Sequence, residues 1–260
     1  MNSSRLSRVL LKSLALYVGA SLGALCSSAL SAKPCGPLAL SEAVKESGSL
    51  SYVERSPVPA LPESPIVIAL HGLGHHKEGF SRLAAQLPAA WRVISVDAPW
   101  RYGSGFAWYR FRCPQAEADL AESTQRLLKL SRALSQRYPK APKPALFGFS
   151  QGGVMSLSAL DASPERWSAL GSLSGYWLPQ RAPRLAPAIQ PTLLLAHGAQ
   201  DRVVPFSRGQ RAAGRLSDAG YAVHWVPFEG RHTVSQRALE ALIEAIKAGL
   251  ERLPRVEAAP

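Results

Sequence analysis

The segment Gly148-Phe149-Ser150-Gln151-Gly152-Gly153 follows the apolar run Pro144-Ala145-Leu146-Phe147 and precedes the helix-like stretch Val154 to Leu160, which puts a serine on a strand-to-helix turn. A serine held on such a turn projects its hydroxyl above a sheet, and the glycines on either side supply the room. The Gly-x-Ser-x-Gly spacing alone is a weak signal; the strand before it and the helix after it give it weight. The chemistry implied is nucleophilic attack, and a serine hydroxyl does this only when a neighbouring base takes its proton. The elbow therefore calls for a histidine and for a carboxylate to orient that histidine, in the chain order serine, acid, histidine.

Asp201 lies in His197-Gly198-Ala199-Gln200-Asp201-Arg202-Val203-Val204-Pro205, just past the apolar run Thr192 to Ala196. His232 lies in Glu229-Gly230-Arg231-His232, just past a run that ends at Phe228. Both fall on strand-exit loops in the required order. Of the other histidines, His71 and His197 precede glycines at strand ends, His224 lies within a strand, and His75 and His76 are adjacent on a loop with no third metal ligand nearby. Ser150, Asp201 and His232 are thus the expected catalytic residues, with no metal site and no cofactor. Acyl transfer also needs donors for an oxyanion. The backbone N–H of Gln151 is one, and Leu73 in the glycine-lined turn Leu70-His71-Gly72-Leu73-Gly74 is the expected second.

The elements that must position these residues are legible as alternating apolar runs and amphipathic stretches. Strands are predicted at Ile66 to Leu70, Arg92 to Val96, Ala145 to Phe149, Ala169 to Leu173, Thr192 to Ala196 and Ala222 to Phe228. Helices are predicted near Phe80 to Leu87, Gln115 to Tyr138, Gly152 to Leu160, Ser207 to Ala219 and Ser235 to Leu250. Nearly continuous apolar strands alternating with helices imply an α/β fold with a mostly parallel sheet covered on both faces. A further strand at Leu50 to Glu54, of alternating polarity, is expected at the sheet edge.

Two long connections, Asp97 to Pro114 and Ser174 to Gln190, leave the carboxyl ends of strands, where ligands of such sheets bind. Phe106, Trp108 and Tyr109 crowd the first and Trp177 stands on the second. Trp108, Tyr109 and Trp177 are the expected substrate-binding residues; packing of the loop onto the domain is the competing role for the first two.

The leading 32 residues carry Arg5, Arg8 and Lys12, no acidic side chain, and the apolar stretch Ser13 to Leu25, which reads as a secretory signal peptide cleaved after Ala29 or Ala32. Its apolar core is shorter than the roughly 20 residues of a membrane span, so stable membrane insertion is not expected. A lipid anchor at Cys26 is disfavoured by the bulk of Leu25 before it. The remaining stretch of roughly 230 residues suits one domain with a sizeable core. It keeps two cysteines, Cys35 and Cys113, an even pair that in an exported protein suggests one disulfide. The formal charge of +12 comes from scattered basic residues without aromatic interleaving, so no nucleic-acid partner is expected.

Taken together, Leu70 to Gly74, Gly148 to Gly153, His197 to Pro205 and Gly230-Arg231-His232 resemble, in order, the motifs of the carboxylesterase, phospholipase and acyl-protein thioesterase group of α/β-hydrolases. The glutamine after the serine and the Asp-x-Val-Val-Pro run are more specific than the elbow itself, and Trp108-Tyr109 is similar to an aromatic dipeptide of the family's substrate-side loop. The resemblance implies an α/β-hydrolase fold and metal-independent hydrolysis of small-molecule carboxylic esters, sometimes thioesters. Two features depart from the pattern: His75-His76-Lys77 where the family commonly carries an acidic residue, and the run Gly103-Ser104-Gly105. The alternatives are a peptidase of prolyl-oligopeptidase type or a non-catalytic hydrolase-fold binding protein. The first usually places an aromatic residue after the serine and carries an extra domain, and the second would be expected to have lost a triad member. The sequence leaves the acyl and alcohol specificity and the oligomeric state open.

Overall fold

In the computed structural model, residues 39–252 are described; the predicted signal peptide, Cys26 and Cys35 lie outside them. A seven-stranded sheet forms the centre, built from β1 (Tyr52–Arg55), β2 (Ile66–Leu70), β3 (Arg92–Val96), β6 (Ala145–Phe149), β7 (Ala169–Leu173), β8 (Thr192–Gly198) and β9 (Val223–Phe228). A separate two-stranded hairpin, β4 (Trp100–Tyr102) and β5 (Gly105–Ala107), falls between β3 and the rest. The sheet order is β1-β3-β2-β6-β7-β8-β9. Every neighbouring pair is parallel except β1 on β3, where Tyr52 faces Val96 and Arg55 faces Val93. The edge strand expected from its alternating polarity is therefore present.

The central strands are buried on both sides because residues of one strand divide between two cores. Ile66, Ile68 and Leu70 face one, with Leu120 and Leu127 of α3 (Ala116–Arg137), Val154 and Leu157 of α4 (Gln151–Ala162) and Leu216 of α5 (Phe206–Asp218). Val67 and Ala69 face the other, with Phe80 of α2 (Lys77–Ala84) and Leu239, Leu242 and Ile246 of α6 (Gln236–Glu251). Period-two alternation in strands that are apolar throughout is what a two-sided core requires. A short helix, α1 (Glu42–Ser47), precedes the sheet.

Most element ends lie within one or two residues of the sequence reading, and two larger differences, at α2 and at the hairpin, have a physical reason. Helix α2 begins at Lys77 rather than Phe80, because the His76 imidazole accepts the Gly79 N–H at 3.2 Å and caps a polar first turn that apolar spacing does not register. The loop predicted from Asp97 to Pro114 contains the hairpin, whose three-residue strands are too short to show a period. Gly103-Ser104 forms its turn, with Gly103 at φ +58°. Among the described residues no helix is long and apolar enough to cross a membrane.

Candidate active site

β6 ends at Phe149 and α4 starts at Gln151, which leaves Ser150 alone on the turn at φ +56°, ψ −116°. A non-glycine residue in that region costs on the order of 1–3 kcal/mol and persists only when its surroundings enforce it. The enforcing contacts are the Ser150 N–H donated to the Leu173 carbonyl at 2.8 Å and the Ser150 carbonyl accepting the Val154 N–H at 3.1 Å. The flanking glycines permit close approach: a Cβ on Gly148 would collide with the Gly152 backbone, and one on Gly152 with the Leu70 carbonyl. The helix can therefore start directly against the end of β2. A Cβ on Gly72 would lie 3.3 Å from the Ser150 Cβ, so the turn after β2 runs beside the serine.

The loop after β8 carries Asp201 and the loop after β9 carries His232. The Asp201 side chain is fully buried; its Oδ1 accepts the N–H groups of Val203 and Val204 at 2.9 Å each. Its Oδ2 lies 2.7 Å from Nδ1 of His232, whose Nε2 lies 2.9 Å from the Ser150 Oγ. A carboxylate only accepts, so Nδ1 carries the proton and Nε2 is left to accept the serine O–H. The side chain of His232 keeps 16% of its surface exposed, enough to meet a substrate, and its ring packs against Phe149 at 4.8 Å between centroids. His197 supports the acid: its Nε2 is 2.9 Å from the Val204 carbonyl and 3.4 Å from Asp201 Oδ2. Burial lowers the pKa of His197, so it donates from Nε2 as a neutral ring.

The structure brings Leu73 and Gln151 into the same neighbourhood, and among the described residues neither backbone N–H has a protein acceptor. The turn that carries Leu73 is braced from three directions. His71 is fully buried, with Nδ1 2.7 Å from the Gly72 carbonyl and Nε2 accepting the Ala98 N–H at 3.1 Å, an arrangement that requires the Nδ1–H tautomer. Burial takes its pKa from 6.5 down to about 4, so it stays neutral. The Trp108 indole donates to the His71 carbonyl at 2.9 Å. The hairpin adds Gly74 N–H to the Phe106 carbonyl at 2.8 Å and Phe106 N–H to the His75 carbonyl at 2.9 Å, an approach that Gly105 allows because a Cβ there would strike the Gly74 carbonyl.

The expected substrate contacts need correction at two positions. Trp108 has no exposed surface and Tyr109 has 1%, so in this conformation neither ring faces a substrate space; both belong to the core. The Gln151 side chain holds them there, accepting the Trp108 N–H at 3.0 Å and donating to the Tyr109 carbonyl at 2.9 Å. Trp177 is nearly buried, donates to the Arg181 carbonyl at 2.9 Å, and keeps one edge on a cavity beside α5. His75 and His76 stack at 5.2 Å, and among the described residues no group of three His, Cys, Asp or Glu side chains is placed to hold a metal ion. Lys77, the third residue of that run, pairs with buried Asp97 at 2.8 Å. Cys113 is disulfide-bonded; Cys35, its expected partner, lies outside the described residues. Sequence reasoning assigned no part in the site to His71, His197 or Phe149. The signal available for the two histidines was a polar ring at the end of an apolar strand, a place where burial demands hydrogen-bond partners.

Known proteins match the chain in sequence and in fold. A sequence model described as phospholipase/carboxylesterase matches residues 56–250. Acyl-protein thioesterase 1 of Emericella nidulans is 28% identical over 229 residues, covering 75% of this chain and 93% of the relative. Carboxylesterase SOBER1 of Arabidopsis thaliana is 30% identical over 109 residues, 40% of this chain and 47% of that protein. In fold, the carboxylesterase of Bacillus cereus superposes with a TM-score of 0.69 at 18% identity, over 79% of this chain and 97% of that one. The match across β2 to α6, including every loop that carries the serine, the acid and the histidine, places the chain in the phospholipase/carboxylesterase family of α/β-hydrolases, among hydrolases of carboxylesterase and thioesterase type.

Proposed function

We propose that this protein is an exported serine esterase that hydrolyses small-molecule carboxylic esters, and thioesters by the same steps, through an acyl-enzyme on Ser150. The observation that carries the reading is the unbroken relay from Asp201 Oδ2 through His232 to the Ser150 Oγ, at 2.7 and 2.9 Å. In acylation the Ser150 oxygen bonds to the acyl carbon while its proton passes to Nε2 of His232. Asp201 stabilises the resulting imidazolium, and the N–H groups of Leu73 and Gln151 hold the oxyanion. Collapse breaks the bond to the alcohol oxygen, which takes the proton back from His232. Water then repeats the sequence and releases the acid. Ser150, with its hydroxyl against a partly exposed imidazole, suits attack on a diffusing ester; export rests on the composition of the leading segment. A fluorophosphonate probe should label the wild type and not Ser150→Ala, and aryl-ester hydrolysis should disappear with the labelling. Labelling that persists in Ser150→Ala would overturn the assignment, and recovery of the protein inside the cell with its leading segment intact would overturn export.

A further inference from the structure

α5 and the segment that leaves β7 line an open cavity of about 200 Å³, with Trp177, Gln180, the half-buried Arg208 and the exposed Arg211 and Arg215 among its lining residues. The three arginines recur at spacings of three and four, one face of a helix, where like charges repel each other. Other arginines nearby are neutralised: Arg181 pairs with Asp161, and Arg110 with Asp119 at 2.8 Å. Those in the cavity are not. Among the described residues no Asp or Glu lines it, Glu117 accepts the Gln180 backbone N–H at 3.0 Å, and none of the three guanidinium groups has an ion pair or hydrogen bond. Only Arg208 has a fixed neighbour, the Tyr176 ring 3.7 Å beneath its guanidinium.

That stack ties the cavity to the reaction centre. The Tyr176 hydroxyl is 2.9 Å from that of Tyr109, and the Tyr109 carbonyl accepts the side chain of Gln151, the residue that follows the nucleophile. Both walls also leave the sheet at its catalytic edge: Trp177 is four residues past Leu173, which accepts the Ser150 N–H, and Arg208 is four past Val204, which donates to Asp201. Unpaired guanidinium groups in a concave site match carboxylate and phosphate oxygens in geometry and in charge. We propose that this cavity is a subsite for an anionic group, carboxylate or phosphate, carried by the ester substrate. The proposal rests on the esterase reading above and narrows it to acidic esters.

The test compares two aryl esters of similar length, p-nitrophenyl hemisuccinate and p-nitrophenyl butyrate, in the wild type and in Arg211→Gln/Arg215→Gln. Glutamine is nearly as good a helix former as arginine at such exposed positions. The ratio of kcat/KM for the acidic ester to that for the neutral ester should fall about tenfold in the variant, as removal of one charge-assisted hydrogen bond would produce. Inorganic phosphate, at an ionic strength matched with chloride, should compete with the hemisuccinate in the wild type and not in the variant. An unchanged ratio overturns the subsite. Phosphate binding by calorimetry that is abolished in the variant while the ratio stays the same also overturns it, since the cavity would then bind free anions without serving the substrate. Failure of the wild type to hydrolyse either ester would instead overturn the esterase reading.

Discussion

The Gln151 side chain accepts the Trp108 N–H at 3.0 Å, a bond across 43 positions of sequence that joins the residue after Ser150 to the loop bracing the turn of Leu73. Gln151 thus keeps its backbone N–H free for the proposed oxyanion role and commits its side-chain amide to the scaffold, the Nε2 donating to the Tyr109 carbonyl. Gln151→Ala would leave both of those backbone groups buried and unpaired, at about 1–3 kcal/mol for each. The two together come to about 2–6 kcal/mol, and at about 2–4 °C per kcal/mol for a domain of this size a midpoint of thermal unfolding lower by about 4–24 °C is expected. Circular dichroism on heating checks it; an unchanged midpoint would show that water replaces the amide without loss.

Ser150, His232 and Asp201 form one hydrogen-bonded unit, so their contributions to rate should not multiply. Ser150→Ala should lower turnover by about 10⁶-fold, and adding His232→Ala should lower it little further. Steady-state kinetics on purified single and double variants decides this. A double variant slower by the product of the two single losses would mean that the residues act separately.

The buried ring of His71 gives the fold a definite response to acid. Above its ordinary pKa of 6.5 the imidazole is neutral in the folded and the unfolded chain and stability does not depend on it. Between 6.5 and about 4 the unfolded chain binds a proton that the folded one refuses, so stability falls as pH falls. Once pH is below about 4 the loss levels off at about 3 kcal/mol. His197, whose pKa burial also lowers, adds in the same direction. His71→Gln keeps an acceptor for Ala98 without titrating. Its loss of stability from about pH 7 to about pH 4.5, measured by urea unfolding, should be smaller than that of the wild type by about 2–3 kcal/mol. Parallel pH profiles would refute the assignment.

The parts of this structure that the chain discloses are those where one physical demand dominates. β2, β3, β6 and β7 span the residues expected of them, because a strand covered on both faces is apolar nearly throughout, with only small polar side chains such as Ser95 and Ser172 buried in it. The hydrogen-bonded set Ser150, Asp201 and His232 is traceable because the chemistry proposed for it fixes both residue type and chain order. What escapes depends on partners remote in sequence. His71 shows its role only once Ala98 is beside it, and Gln151 only once Trp108 and Tyr109 are. An aromatic pair on a strand-exit loop serves equally well as a pocket wall or as packing, and composition does not separate the two. The expectation for Trp108 and Tyr109 fails for that reason.

Cys113 is held in a disulfide, and Cys35 is the partner expected from the even pair left after the leading segment is removed. Peptide mapping of the protein under non-reducing conditions should recover the Cys35–Cys113 peptide. Recovery of Cys113 joined to Cys26 would show that the leading segment is retained, and two alkylatable thiols would refute the bridge.

Trp108 gives the sharpest contrast between packing and binding. Its ring is fully buried, its indole N–H is taken up by the His71 carbonyl at 2.9 Å, and its own carbonyl accepts the Ser123 hydroxyl at 2.6 Å. Trp108→Ala should therefore cost about 3–5 kcal/mol of stability through the cavity it opens. Trp108→Phe should cost less, since it fills most of the space and removes chiefly the bond that braces the turn of Leu73. Turnover in Trp108→Phe should drop for every ester alike, because the turn of Leu73, the proposed oxyanion donor, is loosened whatever the acyl chain. The ranking of esters by chain length should accordingly stay the same in both variants, measured well below their melting temperatures. A changed ranking with undiminished stability would return Trp108 to the substrate pocket.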